Sequence, residues 1–232
     1  MRDNTVIPAR IYSPTAAAHE GSPGLVIWHG GGFCLGDLDS EAALCRHWTA
    51  MGGVAVNVAY RLAPEHPFPQ AVYDAHDSLL WTSTHLTELG INPRLGFIIG
   101  GISAGANLAA VAAHLYKSDK RSPPLTGQYL SIPTICDPSA VPPEHKAVYL
   151  SREQNKNALI LNQKSIDMFE DPLRDEGLIY EQVLREQGVK TRLDIFPGLP
   201  HGFWSWFPEA EFSKSFQVKT LEGLRWLLAQ VA

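Results

Sequence analysis

The stretch from Leu95 to Leu115 constrains the chain more than any other. An apolar run, Leu95–Ile99, leads through Gly101-Ile102-Ser103-Ala104-Gly105 into an alanine-rich segment, Ala104–Leu115. Strand, sharp turn and helix are written there in order. Glycines on either side let the backbone bend without Cβ clashes, and a serine at the apex of such a turn is forced outward, where a nucleophile belongs. A strand feeding a helix in this way is one unit of a parallel sheet, so the remainder of the chain is expected to supply more such units.

It does. Leu25–Trp28 is a short continuous apolar run that stops at His29-Gly30-Gly31-Gly32, the pattern of a strand buried on both faces. Ser40–Met51 is helical in pattern, with Ser40 as N-cap and Gly52-Gly53 as the stop, and Val54–Val58 is the next strand. After the turn-forming Pro64–Pro69, Ala71–Thr84 carries Val72, Ala75, Leu79 and Leu80 at helical spacing. The helix behind Ser103 runs from Ala104 to about Lys117. Gln128–Ile132 reads as a strand, Leu173–Gln187 as a helix ended by Gly188, Arg192–Phe196 as a strand and Phe212–Leu228 as a last helix. Val6-Ile7 and Arg10–Tyr12 are short strand pieces ahead of a turn-rich Ser13–Gly24. The alternation predicts an α/β chain with a doubly wound, mostly parallel sheet, whose ligands gather at the carboxyl ends of the strands.

Between Pro133 and Glu170 the alternation lapses. Asp137–Glu144 is rich in proline, Ser151–Asn157 is polar, and Ala158–Phe169 is a moderately apolar helical piece. We read residues 1–232 as a single domain in which 134–170 form a partial cap or lid. A chain of 232 residues, 45% apolar, can bury roughly 70% of its unfolded surface.

A net charge of -5 and a pI near 6.0, with basic residues scattered, leave no footprint for nucleic acid or an anionic membrane and point to a small-molecule partner. No run approaches 18 apolar residues, so no membrane span is expected. Met1-Arg2-Asp3-Asn4 begins no apolar signal core, and Gln230-Val231-Ala232 is no retention or peroxisomal tripeptide. Cys34, Cys45 and Cys136 are odd in number and read as reduced, buried thiols. These features together predict a soluble cytoplasmic protein without a metal site. Oligomeric state is not written in the sequence.

Serine needs a base to attack near neutral pH, and histidine, with an ordinary pKa of about 6.5, can take and return the proton. His201, in Pro197-Gly198-Leu199-Pro200-His201-Gly202-Phe203 after the expected strand Arg192–Phe196, is the best placed of nine histidines. His47, His76, His85 and His114 fall in helical patterns and His19, His66 and His145 in loops, where packing or surface roles suffice. A carboxylate that orients the base is expected between serine and histidine in the chain. Asp171 stands there, although as the residue before Pro172 it is equally an N-cap. Asp137 and Asp167 are weaker choices, and Asp175 and Glu176 read as first-turn residues favoured by the helix dipole. Gly31 and Gly32 can bring bare backbone close to a reacting oxygen. With the Ala104 N–H they make three oxyanion donors, each worth on the order of 3 kcal/mol in the transition state.

His29-Gly30-Gly31-Gly32-Phe33, Tyr60-Arg61-Leu62-Ala63-Pro64-Glu65, Gly101-Ile102-Ser103-Ala104-Gly105, Asp171-Pro172-Leu173-Arg174-Asp175-Glu176 and His201-Gly202-Phe203 together resemble the hormone-sensitive-lipase-like esterases of the α/β-hydrolase fold, over roughly Leu25–Leu228. The resemblance implies Ser103 as nucleophile, His201 as base, Asp171 as its orienter, and Gly31, Gly32 and Ala104 as oxyanion donors. It also implies that Tyr60–Glu65 shapes the wall behind the nucleophile. The activity it implies is cofactor-free hydrolysis of carboxylic esters with short or medium acyl chains. The wording looks most like fungal members, some of which serve secondary metabolism. Three departures stand out: Ile102 where the family usually carries aspartate, a largely absent N-terminal cap and first strand, and roughly forty residues fewer between Ser103 and Asp171, including the strand before the acid. Two other readings therefore stand beside a serine esterase: a catalytically impaired small-molecule binding protein, and a truncated product without activity.

Overall fold

Among the described residues, five strands build one sheet: β1 (Ala9–Tyr12), β2 (Gly24–Trp28), β3 (Val54–Val58), β4 (Phe97–Ile102) and β5 (Gly127–Ser131). They lie in the order β1-β3-β2-β4-β5, with β1 antiparallel to β3 and every other pair parallel. The computed structural model describes residues 1–16, 19–154 and 173–231. Asp171, Asp167 and the Ala158–Phe169 piece lie outside them. The chain forms two compact units, one of Met1–Ser131 with the segment from Leu224 onward, the other of Ile132–Gly223.

In the first unit, β2 and β3 are fully buried and their side chains alternate between two cores. Val26, Trp28, Val56, Val58, Phe97 and Ile99 face α2 (Gln70–Thr84) and α3 (Ala104–Ser118), whose Leu79, Leu108, Ala109 and Tyr116 fill that side. Leu25, Ile27, Ala55 and Ile98 face the other side, where α1 (Ala42–Ala50) contributes Leu44, Cys45 and Trp48 and the end of the last helix contributes Leu224. Helices on both faces make β2 apolar throughout and β3 apolar except at the buried Asn57, which is why the sequence shows continuous runs there instead of alternation. Every parallel connection returns through a helix, and the ends of β2 and β4 emerge together, since Trp28 is paired with Gly101.

The second unit carries α4 (Ser151–Gln154), α5 (Arg174–Glu186), α6 (Phe203–Trp206) and most of α7 (Glu211–Leu228). Asp175 and Glu176 do more here than favour a helix dipole. The Asp175 carboxylate accepts from the Leu150 and Ser151 N–H groups, and that of Glu176 accepts from the Ile135 and Cys136 N–H groups and the Tyr149 hydroxyl. Both are buried, and they tie α5 to the residues on either side of the proline-rich Asp137–Glu144.

Three expectations need correction. Arg192–Phe196 forms no strand: its backbone pairs with no described strand, and Leu193 and Ile195 are 46% and 53% exposed, so the alternation had no second chain to turn it into a ladder. Ser40 is not the cap of α1. It closes a turn with the Asp37 carboxylate, and the helix starts one residue later, behind Glu41. Of the three thiols, none of them in a disulfide, only Cys45 is buried, because Cys34 and Cys136 sit in loops. No helix among the described residues is long and apolar enough to cross a membrane.

Candidate active site

Ser103 stands between β4 and α3 with φ 54° and ψ -117°, a left-handed conformation that a non-glycine residue adopts only where its surroundings enforce it. The enforcement is local. Its N–H donates to the Ser131 carbonyl at the end of β5 (2.9 Å), and its carbonyl accepts from the Ala106 and Asn107 N–H groups as α3 begins. The flanking glycines are required by space. A Cβ on Gly101 would lie 2.1 Å from the Gly105 carbonyl carbon, and one on Gly105 would lie 2.0 Å from the Trp28 oxygen and 2.5 Å from that of His29. Gly105 is therefore where the serine turn packs on the end of β2.

The His29–Gly32 loop meets the turn from the other side, with Gly30 seated on the Ile102 carbonyl. Each peptide plane along this loop is held by its carbonyl. The His29 oxygen accepts from the Tyr60 hydroxyl (3.0 Å), the Gly30 oxygen from Nδ1 of His29 (2.7 Å), and the Gly31 oxygen from the Cys34 and Leu35 N–H groups (3.1 and 2.9 Å). A peptide unit is planar, so fixing the oxygens of Gly30 and Gly31 also fixes the directions of the Gly31 and Gly32 N–H groups. Neither of those, nor the Ala104 N–H, donates to another described residue. Gly31 and Gly32 have φ of 112° and 59°, and a Cβ on Gly31 would lie 2.2 Å from the Leu35 oxygen. The structure thus brings Ser103, Ala104, Gly31 and Gly32 to one edge of the sheet.

Behind the loop, the rings of His29 and Tyr60 stack with centroids 4.3 Å apart, and both residues are buried. Burial holds His29 below the usual histidine range, so its ring is neutral and Nδ1, facing a carbonyl, carries the proton. Arg61 is clamped by the fully buried Asp74, which accepts from its backbone N–H, Nε and guanidinium (3.0, 2.9 and 2.6 Å). This pair fixes Tyr60 from the chain side.

His201 belongs to the second unit. Its loop turns at Gly198 and Gly202, both left-handed, and is anchored by Phe203, 3% exposed among the rings of Phe196, Phe212 and Phe216. The residue keeps some solvent exposure, yet the protein around its ring desolvates the imidazolium enough to push its pKa down to about 4. Asp171 lies outside the described residues. The first-unit residue that the motifs did not single out is Glu41, a buried carboxylate whose Oε1 accepts from the Gly30 N–H. The only signal in the sequence is a glutamate standing immediately before the apolar Ala42-Ala43-Leu44-Cys45.

A profile of the alpha/beta hydrolase fold matches residues 25–171. An AB hydrolase superfamily protein of Schizosaccharomyces pombe is 32% identical, covering 99% of this chain and 78% of its own length. That alignment spans 265 residues against 232 here, so the relative carries residues with no counterpart in this chain. The carboxylesterase NlhH of Mycobacterium tuberculosis is also 32% identical, over 86% of this chain and 72% of its own. Among solved structures, a vibralactone cyclase superposes with a TM-score of 0.91 at 29% identity, over 99% of this chain and 78% of that one. The chain belongs to the α/β hydrolase family. Its place within it is among the hormone-sensitive-lipase-like carboxylic ester hydrolases, as the motifs imply.

Proposed function

We propose that this protein is a serine carboxylesterase acting on small-molecule esters with short or medium acyl chains. Ser103 Oγ attacks the ester carbonyl while His201 takes its proton, and the oxygen that becomes negative is received by the N–H groups of Gly31, Gly32 and Ala104. His201 then gives the proton to the departing alcohol. Water, activated by the same imidazole, releases the acid and restores Ser103. Asp171 holds the imidazole in the correct tautomer, and no cofactor takes part. The setting is the cytoplasm, and the fungal wording of the motifs favours a substrate made in secondary metabolism.

The observation that carries this reading is the strained Ser103 turn packed on a loop whose successive carbonyls are pinned while the Gly31 and Gly32 N–H groups stay unoccupied among the described residues. Strain at a serine and bare N–H groups beside it serve no purpose in stability, but they suit charge that develops only in a transition state. Ser103→Ala is expected to lower the kcat for p-nitrophenyl butyrate by about 10⁴-fold or more while the chain still melts cooperatively. Turnover that survives the substitution refutes the proposal.

A further inference from the structure

Glu41 is 8% exposed, and among the described residues no lysine or arginine reaches its carboxylate. Burying a carboxyl group without a cation costs stability, so its retention calls for a local reason. One described group contacts it by hydrogen bond. The Gly30 N–H donates to Oε1 at 3.3 Å, across the space between the end of β2 and the start of α1.

That N–H belongs to the first peptide plane of the His29–Gly32 loop, the plane whose carbonyl is held by the Tyr60 hydroxyl. Tyr60 alone leaves this plane free to rock about its single bond. Glu41 supplies a second anchor on the opposite edge, and two anchors on one plane remove that freedom. The next plane carries the Gly31 N–H and is held at the Gly30 oxygen by the ring of His29, whose backbone carbonyl is part of the first plane. The first and second planes share the Gly30 Cα, so a rocking of the first is passed to the Gly31 N–H through the Gly30 dihedrals.

We infer that Glu41 is a positioning residue for the oxyanion loop, acting through the Gly30 amide to aim the Gly31 N–H. The inference rests on the proposed function for its catalytic consequence, but not for the contact itself. Burial pushes the Glu41 carboxyl up to about 7, with the Gly30 N–H pulling the other way. A neutral carboxyl in this place can still accept from Gly30 through its carbonyl oxygen, and it spares the oxyanion loop a nearby negative charge. Its titratable neighbours are Tyr60, just past β3, and Cys45, on α1, whose pKa values are raised by burial first and by Glu41 second.

Steady-state kinetics on the intact chain with p-nitrophenyl butyrate test this through Glu41→Gln, which keeps an acceptor oxygen, and Glu41→Met, which has similar length and none. Glu41→Met is expected to lose roughly tenfold to a hundredfold in kcat with KM changed less than about threefold, because only the transition state needs the aimed N–H. Glu41→Gln is expected to stay within about threefold of the wild-type kcat. An unchanged kcat in Glu41→Met, an equal loss in both variants, or a loss carried by KM overturns the inference. Amide exchange on the wild-type chain keeps the question open to disproof if Glu41→Met does not fold. The Gly30 N–H should exchange at least about ten times more slowly than those of Gly31 and Gly32, and equal rates overturn the inference. A wild-type chain that hydrolyses no ester while Gly30 is protected refutes the proposed function and leaves the Glu41 contact standing.

Discussion

His201 shows what a single side chain contributes and what its surroundings change. An ordinary imidazole titrates near 6.5, but desolvation of the charged form pushes this one down to about 4. The sign matters for both activity and stability. A depressed histidine pKa keeps the neutral, proton-accepting form present well into the acid range, so the acid limb of kcat/KM is expected below about pH 5.5; a limb at or above 6.5 contradicts this placement of the ring. In the folding equilibrium the same group contributes nothing adverse above 6.5 and costs stability as pH falls from 6.5 towards 4, where only the unfolded chain binds the proton. Glu41 behaves in the opposite sense: its raised pKa costs stability as pH rises from the ordinary glutamate value towards 7. The bend at Ser103 and the positive φ of Gly31 and Gly32 were legible in the sequence because they depend on backbone freedom at their own positions. The contact of Glu41 with Gly30 was not, because only the folded chain creates it.

At the level of elements, the sequence announced those whose burial is symmetrical. β2, β3 and β4 are buried and read as apolar runs, interrupted only at Asn57, whose amide donates to the Leu38 carbonyl, and α3 begins one residue after β4. Arg192–Phe196 carries a pattern compatible with a strand, yet a strand exists only with a neighbour, and the chain supplies no described one. The serine turn also depends on a neighbour. Because Gly105 abuts the Trp28 and His29 carbonyls, a methyl group there must push α3 away from β2, and backbone oxygens cannot yield as a flexible side chain could. Gly105→Ala is expected to destabilise the fold by about 2–4 kcal/mol, read as a lower melting temperature, with esterase activity lost in the fraction that remains folded. A stable and fully active Gly105→Ala would show that the turn and the loop move independently.

For the whole molecule, membership of the α/β hydrolase family follows from the matched residues 25–171 and from a relative that covers 99% of the chain. The fold class was legible from alternation alone. The division into two compact units was not, because the segment between Pro133 and Glu170 has weak periodicity and its ties, such as Glu176 to the Ile135 and Cys136 N–H groups, join residues about forty positions apart. The central claim is that Ser103 is held ready to attack an electrophilic centre. The most direct measurement is labelling of the intact chain with a fluorophosphonate, followed by peptide mass spectrometry to locate the adduct. One adduct per chain is expected, on Ser103, formed within minutes and abolished in Ser103→Ala. No adduct, or an adduct on another residue with Ser103 unmodified, would contradict it.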